Sequence, residues 1–238
     1  MTYTSNTPPP RLRRGARDRR KAVSACLEVR LRTIAYIDGF NLYYRALKGT
    51  ANKWLDVRAL LQLVYPKNDF EIIRYFTAQV KPLPHDLEQP QRQQVYLRAL
   101  RTLPGLEIHL GQFTSHEVRL PIMSTLGSTQ PRYARVLKTE EKGSDVNLAS
   151  RLVHDAHEGR FETAIVLTND SDLIEPIRIV TQEIGLPAGV LNPCKQPAGG
   201  LRAAATFYTV MRATAPSKCQ FSTNLEDAKG PFTKPRNW

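Results

Sequence analysis

Cysteine is scarce in this chain of 238 residues: Cys26, Cys194 and Cys219 are all it has, and no two share a Cys-x-x-Cys spacing. That excludes a structural zinc ribbon, a thioredoxin-type motif and a disulfide framework, and it points to a reducing compartment. Long hydrophobic runs are missing too. No apolar stretch approaches the roughly 20 residues that span a bilayer, and none follows the basic start as a secretory signal would require. Neither a Walker-type phosphate loop nor a Gly-x-Gly-x-x-Gly fingerprint occurs, which removes the common nucleotide-binding readings. Acidic residues are the minority, 22 against 34 Lys and Arg, for a formal charge of +12. An excess of that size favours polyanionic partners and says nothing about fold.

The positive charge is unevenly placed. Residues 1–32 hold nine Lys and Arg, most of them between Arg11 and Lys21, against only Asp18 and Glu28. So polar a segment, opened by Thr7-Pro-Pro-Pro10, cannot bury enough surface to fold alone, and a disordered basic extension is expected over 1–32. A solvated tail, a phosphate-gripping arm and an organellar transit peptide all fit it. The expected setting is a bacterial cytoplasm.

From Thr33 onward, apolar runs alternate with helical spacing. Thr33–Ile37, Glu71–Ala78, Leu106–Phe113, Ala164–Leu167, Leu186–Leu191 and Phe207–Met211 read as strands. Helices are predicted from Asn41, from Val57 with Asp56 as N-cap, from about Asp86 to Leu103, from Asp145 to Glu158 and from Leu173 to Ile184. Residues 114–132 read as a loop or hairpin insertion. This rhythm predicts an α/β class protein, a three-layer α/β/α sandwich with a mostly parallel central sheet, whose ligands bind at the carboxyl ends of the strands. One domain over 33–213 is expected, with a flexible C-terminal tail over 214–238.

Three motifs place aspartates at strand ends: Tyr36-Ile-Asp-Gly-Phe-Asn-Leu-Tyr-Tyr44, Glu140-Glu-Lys-Gly-Ser-Asp-Val-Asn-Leu-Ala149 and Ile165-Val-Leu-Thr-Asn-Asp-Ser-Asp-Leu173. In a parallel sheet Asp38, Asp145, Asp170 and Asp172 fall on one edge. Carboxylates gathered there repel, and a cation relieves the repulsion. Mg²⁺ or Mn²⁺ suits hard oxygen donors with room for water and phosphate. Each acid also has a plain reading: Asp172 with Glu175 spells a capping box, Asp145 complements a helix dipole beside the N-cap Ser144, and Asp38-Gly39 makes a turn. Asn41, Thr168 and Asn169 could hold a carboxylate, water or phosphate. Lys142 and Arg45 offer cations, and Tyr44 a stacking face, whereas Glu140 and Glu141 read as solvent-facing. His154 and His157, three apart on a helix, read as solvated rather than as a metal pair.

Together with Tyr75-Phe-Thr-Ala78 and His109-Leu-Gly111, these motifs resemble the NYN domain family, the LabA-like branch of the PIN-like nucleases. The resemblance implies a PIN-like fold with an acidic pocket that binds Mg²⁺ or Mn²⁺ and cuts phosphodiesters, chiefly in RNA. By position it makes Asp38, Asp145 and Asp170 the metal-site acids, Asp172 a further catalytic acid and Asn41 a polar partner. Leu173 and Glu175 depart from the family pattern after the acid pair. The expected function is thus a divalent-metal-dependent ribonuclease on single-stranded or looped RNA, with no membrane partner. The alternative is a catalytically weak RNA-binding or adaptor module of the same fold. A phosphatase on a similar sheet would need a second acid two residues after Asp38, where Phe40 stands.

Overall fold

The computed structural model describes residues 30–82, 86–123, 127, 132–196, 198–236 and 238. The basic extension expected over 1–32 lies almost wholly outside them. Strand β1 (Leu31–Asp38) leads into a short helix α1 (Gly39–Leu42) continued by a π-helical turn over Tyr43–Leu47. Helix α2 (Val57–Val64) begins where predicted, with the Asp56 carboxylate accepting from the Ala59 amide at 2.9 Å. Next come β2 (Asn68–Ala78), α3 (Gln89–Leu100), β3 (Leu106–Pro121), β4 (Tyr133–Lys142) and α4 (Ser144–His157). Strand β5 (Thr163–Leu167) is followed by a 3₁₀ turn at Ser171–Leu173, α5 (Ile174–Arg178) and a π-helical stretch over Ile179–Ile184. The chain continues through β6 (Ala188–Asn192), α6 (Leu201–Ala204), β7 (Phe207–Val210), α7 (Ala215–Lys218), β8 (Asn224–Asp227) and β9 (Gly230–Thr233).

Among the described residues, seven strands form one sheet in the order β4-β3-β2-β1-β5-β6-β7, and every pairing is parallel except β3 with β4. Because side chains alternate across a strand, β1 serves two cores. Ala35 and Ile37 pack with Leu60, Leu61 and Leu97 on one face, while Ile34 and Tyr36 pack with Leu148, Leu152 and Ile177 on the other. Helices thus cover both faces, as the sequence predicts, and the all-buried β5 accounts for its unbroken apolar run. The chain turns to opposite sides after β1, with β2 on one flank and β5 on the other. That switch point opens a crevice at the carboxyl ends of both strands. Among the described residues no helix is long and apolar enough to cross a membrane.

Of the two readings of residues 114–132, the hairpin holds: β3 runs on to Pro121 and pairs antiparallel with β4 through ten residues, from Gln112 opposite Lys142 to Pro121 opposite Tyr133. One expectation is corrected. The segment from 214 is not a loose tail. It buries Trp54, whose indole donates to the Ser222 carbonyl at 2.9 Å, and it seats Cys219 in the core. Arg98 on α3 grips Asp227 with two hydrogen bonds of 2.6 and 2.8 Å and lies over the Phe232 ring. Apolar anchors spaced widely among polar residues explain why composition alone suggested a tail. Removing residues 214–238 should expose Trp54 and Tyr96 and abolish the sharp thermal transition of the intact chain, which circular dichroism would read.

Candidate metal and nucleic-acid site

The register brings the first two motifs' acids to the third. Ile37 is opposite Leu167, so Asp38 ends β1 next to Thr168 at the end of β5. Asp38 is buried, 4% exposed, and both its oxygens are used: one accepts from the Asn41 amide at 2.9 Å as the N-cap of α1, the other from the Thr168 hydroxyl at 3.0 Å. The Thr168 hydroxyl in turn accepts from the Asp170 amide at 3.1 Å. Asn41 reaches across with its side-chain oxygen to the Asn169 amide at 3.0 Å. Two hydrogen bonds therefore lace the β1 and β5 loops together, and one more stiffens each loop within itself.

Asp38, Asp145 and Asp170 line one cleft of about 450 Å³, together with Asn41, Tyr44 and Arg45. Burial, with Asp145 and Asp170 nearby, pushes the Asp38 carboxyl up to about 7 despite the Asn41 amide bond that favours its charged form. Asp145 is raised as well, by burial first and then by Asp170, Glu141 and Asp172. Among the described residues no three His, Cys, Asp or Glu side chains close into a ready-made metal cage. A cleft lined by carboxylates in this way, with room for water and substrate phosphate, fits a hard divalent cation.

Several roles differ from those read in the sequence. The cap of the turn after β5 is Asp170, which accepts from the Asp172 amide at 3.1 Å, and Asp172 itself lies exposed outside the cleft lining. Asn169 cannot offer its amide to substrate: it donates to the Gln196 carbonyl and the Cys194 sulfur and accepts from the Ala198 amide at 2.7 Å, pinning the loop after β6. Lys142 pairs with Glu140 at 3.5 Å and is absent from the cleft lining.

Glu141, expected to face solvent, instead enters the cleft and binds the start of α4, accepting from the Ser144 amide at 3.1 Å and its hydroxyl at 2.7 Å. The N-cap is accordingly Gly143, with φ of 99°, and Ser144 is the first helical residue. A glutamate three residues before a serine that opens a helix is the signal that could have found it. Phe113, on the extended β3, was also missed; it meets Phe40 edge-on at 5.8 Å and walls the cleft. Gly111 makes the Glu141 contact possible, since a Cβ there would lie 2.2 Å from the Glu141 oxygen and 2.7 Å from the Lys142 carbonyl. Gly111→Ala should therefore release the cap and shift α4, lowering stability by about 1–3 kcal/mol in urea unfolding.

The chain is similar to 6-hydroxy-3-succinoylpyridine 3-monooxygenase HspA of Pseudomonas putida, 32% identical over an alignment of 186 residues that covers 68% of this chain and 60% of that protein. It therefore spans about three fifths of that relative's length. A solved structure of a protein of unknown function from Vibrio parahaemolyticus RIMD 2210633 aligns at a TM-score of 0.48 with 15% identity, covering 77% of this chain and 95% of the other. Residues 32–211 match the NYN domain, a span that holds every acid of the cleft, and the chain belongs to that family within the PIN-like nuclease superfamily.

Proposed function

We propose that the protein is a divalent-metal-dependent ribonuclease that hydrolyses phosphodiester bonds of single-stranded or looped RNA in a bacterial cytoplasm. The observation that carries this reading is the meeting of Asp38, Asp145 and Asp170 in one cleft at the sheet's switch point, with the Asp38 carboxyl raised by burial first and then by Asp145 and Asp170. When bound, Mg²⁺ or Mn²⁺ would polarise a phosphate oxygen and neutralise charge on the attacking and leaving oxygens. Asp38, Asp145 and Asp170 are the residues that would hold it. Asn41 and Thr168 fix the rotamer of Asp38 from both sides, so the carboxylate need not reorganise. Arg45 lies at the cleft and in the adjoining cavity bounded by Asn169 and Gln196, placed to meet the backbone of an incoming strand. Tyr44, 58% exposed, offers a stacking face to an unpaired base.

Labelled RNA incubated with Mg²⁺ or Mn²⁺ tests the assignment. Wild type should give product that EDTA abolishes, and Asp170→Asn should give none above background. Equal cleavage by both proteins, or cleavage indifferent to EDTA, would overturn it. The second reading, oxygenation of a small hydroxypyridine, is favoured by the likeness to the Pseudomonas protein over most of this chain. Consumption of 6-hydroxy-3-succinoylpyridine with no RNA product would select it.

A further inference from the structure

Behind the wall formed by Phe40 and Tyr44, a second cavity of about 250 Å³ opens on the side away from the acids. Four more aromatic rings line it, beside Thr77, Gln89 and Gln93: Tyr43 meets Tyr44 edge-on at 5.2 Å, and Trp238 lies 5.3 Å from Tyr96, which in turn meets Tyr75 at 6.5 Å. Burial raises the phenol pKa of Tyr43, Tyr75 and Tyr96, so these walls stay uncharged. The indole nitrogen of Trp238 is buried and has no hydrogen-bond partner among the described residues.

Charge enters this cavity from Lys53, Arg92 and Asp86. Lys53 lies 5.8 Å over the Trp238 ring, and Arg92 lines the wall beside it, paired with Asp86 and, at 3.7 Å, with Glu88. Burial first, then Arg92 and Lys234, holds the Lys53 ammonium below the usual lysine range against the opposing pull of Asp86, and a ligand anion would favour its charged form. Flat neutral faces beside the Lys53 ammonium match a nucleobase and its phosphate. Stacking on such faces is worth about 1–3 kcal/mol per base, and Lys and Arg supply the phosphate contact. The volume, below the roughly 300–1,000 Å³ of drug-sized sites, suits a single nucleoside unit.

We propose that this cavity is a base-binding subsite for the nucleotide next to the phosphate held at the acid cleft, and that it biases where along a single strand the chain is cut. Phe40 and Tyr44 bound both spaces, so a strand lying over them places one unit in each. The inference rests on the RNA reading of the cleft, yet the subsite can be measured without cleavage. Binding of AMP, GMP, CMP and UMP to wild-type protein in EDTA, by isothermal titration calorimetry, is the direct probe.

At least one nucleotide should bind, and its Kd should weaken at least fivefold in both Trp238→Leu and Lys53→Gln. Should Trp238→Leu lose its thermal transition, the half-exposed Lys53 still decides the matter. Cut-site mapping on a mixed-sequence RNA should show a base preference in wild type that both variants relax. Failure of all four nucleotides to bind would overturn the subsite, as would unchanged affinity in Lys53→Gln or preferential binding of 6-hydroxy-3-succinoylpyridine. Nucleotide binding without any RNA cleavage would uphold the base site and overturn the nuclease reading of the cleft instead.

Discussion

Asp38→Asn should lower metal-dependent RNA cleavage by about 100-fold or more while making the metal-free protein more stable at pH 8. The two effects share a cause. Folding buries Asp38 among acids, so its carboxyl titrates at about 7 in the native state against 3.8 when unperturbed. A carboxylate raised in this way favours folding least when charged: stability falls as pH climbs from about 4 to about 7 and stays low above that. Asparagine removes the charge and keeps the oxygen that accepts from the Asn41 amide, while its new N–H can donate to the Thr168 hydroxyl. Urea unfolding in EDTA should thus show a gain of about 1–3 kcal/mol at pH 8 and almost none at pH 4. A variant that is inactive and less stable at pH 8 would mean that Asp38 serves the fold rather than the reaction.

Asp155→Ala should cost about 3–5 kcal/mol and is the most damaging single change expected outside the cleft. Asp155 is fully buried on α4 and accepts from the Tyr36 hydroxyl at 2.7 Å, from Arg74 Nε at 2.9 Å and from Arg160 at 3.1 Å. Among the described residues, truncation would leave the Arg74 guanidinium, itself 4% exposed, with only the half-exposed Glu107 as an acidic partner. An uncompensated charge in the core is the main penalty, with the unpaired Tyr36 hydroxyl adding to it. Because Asp155 and Asp145 share one helix, this lock also sets where α4 lies against β1. Asp155→Ala should therefore lower cleavage even at temperatures where the protein stays folded. Urea midpoints and cleavage rates measured together at 15 °C would show whether both fall.

The sequence revealed the sheet and the acids for a physical reason: parallel strands buried on both faces write themselves as unbroken apolar runs, and the residues just beyond them share an edge. What it concealed depended on pairing between distant segments. Arg74 and Asp155 look like ordinary surface charges until β2 and α4 are laid together. Glu141 reads as solvent-facing until Gly111 on the neighbouring strand is seen to make room for it. Capping was misassigned between Asp170 and Asp172 because both are competent and only the 3₁₀ turn decides. The last 25 residues carry their anchors, Cys219, Phe221, Phe232 and Trp238, too far apart for any periodicity to register.

The unusual reach of β3 and β4 bears on how the protein keeps company with itself. A mostly parallel sheet ends here in a long strand whose outer rim has no neighbour among the described residues, and Leu137, 72% exposed, lies along it. Such a rim would template strand addition from another molecule. Arg135, Lys138, Glu140 and Lys142 punctuate it with paired charges, so a second copy docking there would have to strip water from ions already matched within the strand or with Glu117. Solubility at that margin is consequently an ionic property, strongest in dilute buffer and eroded by concentrated salt.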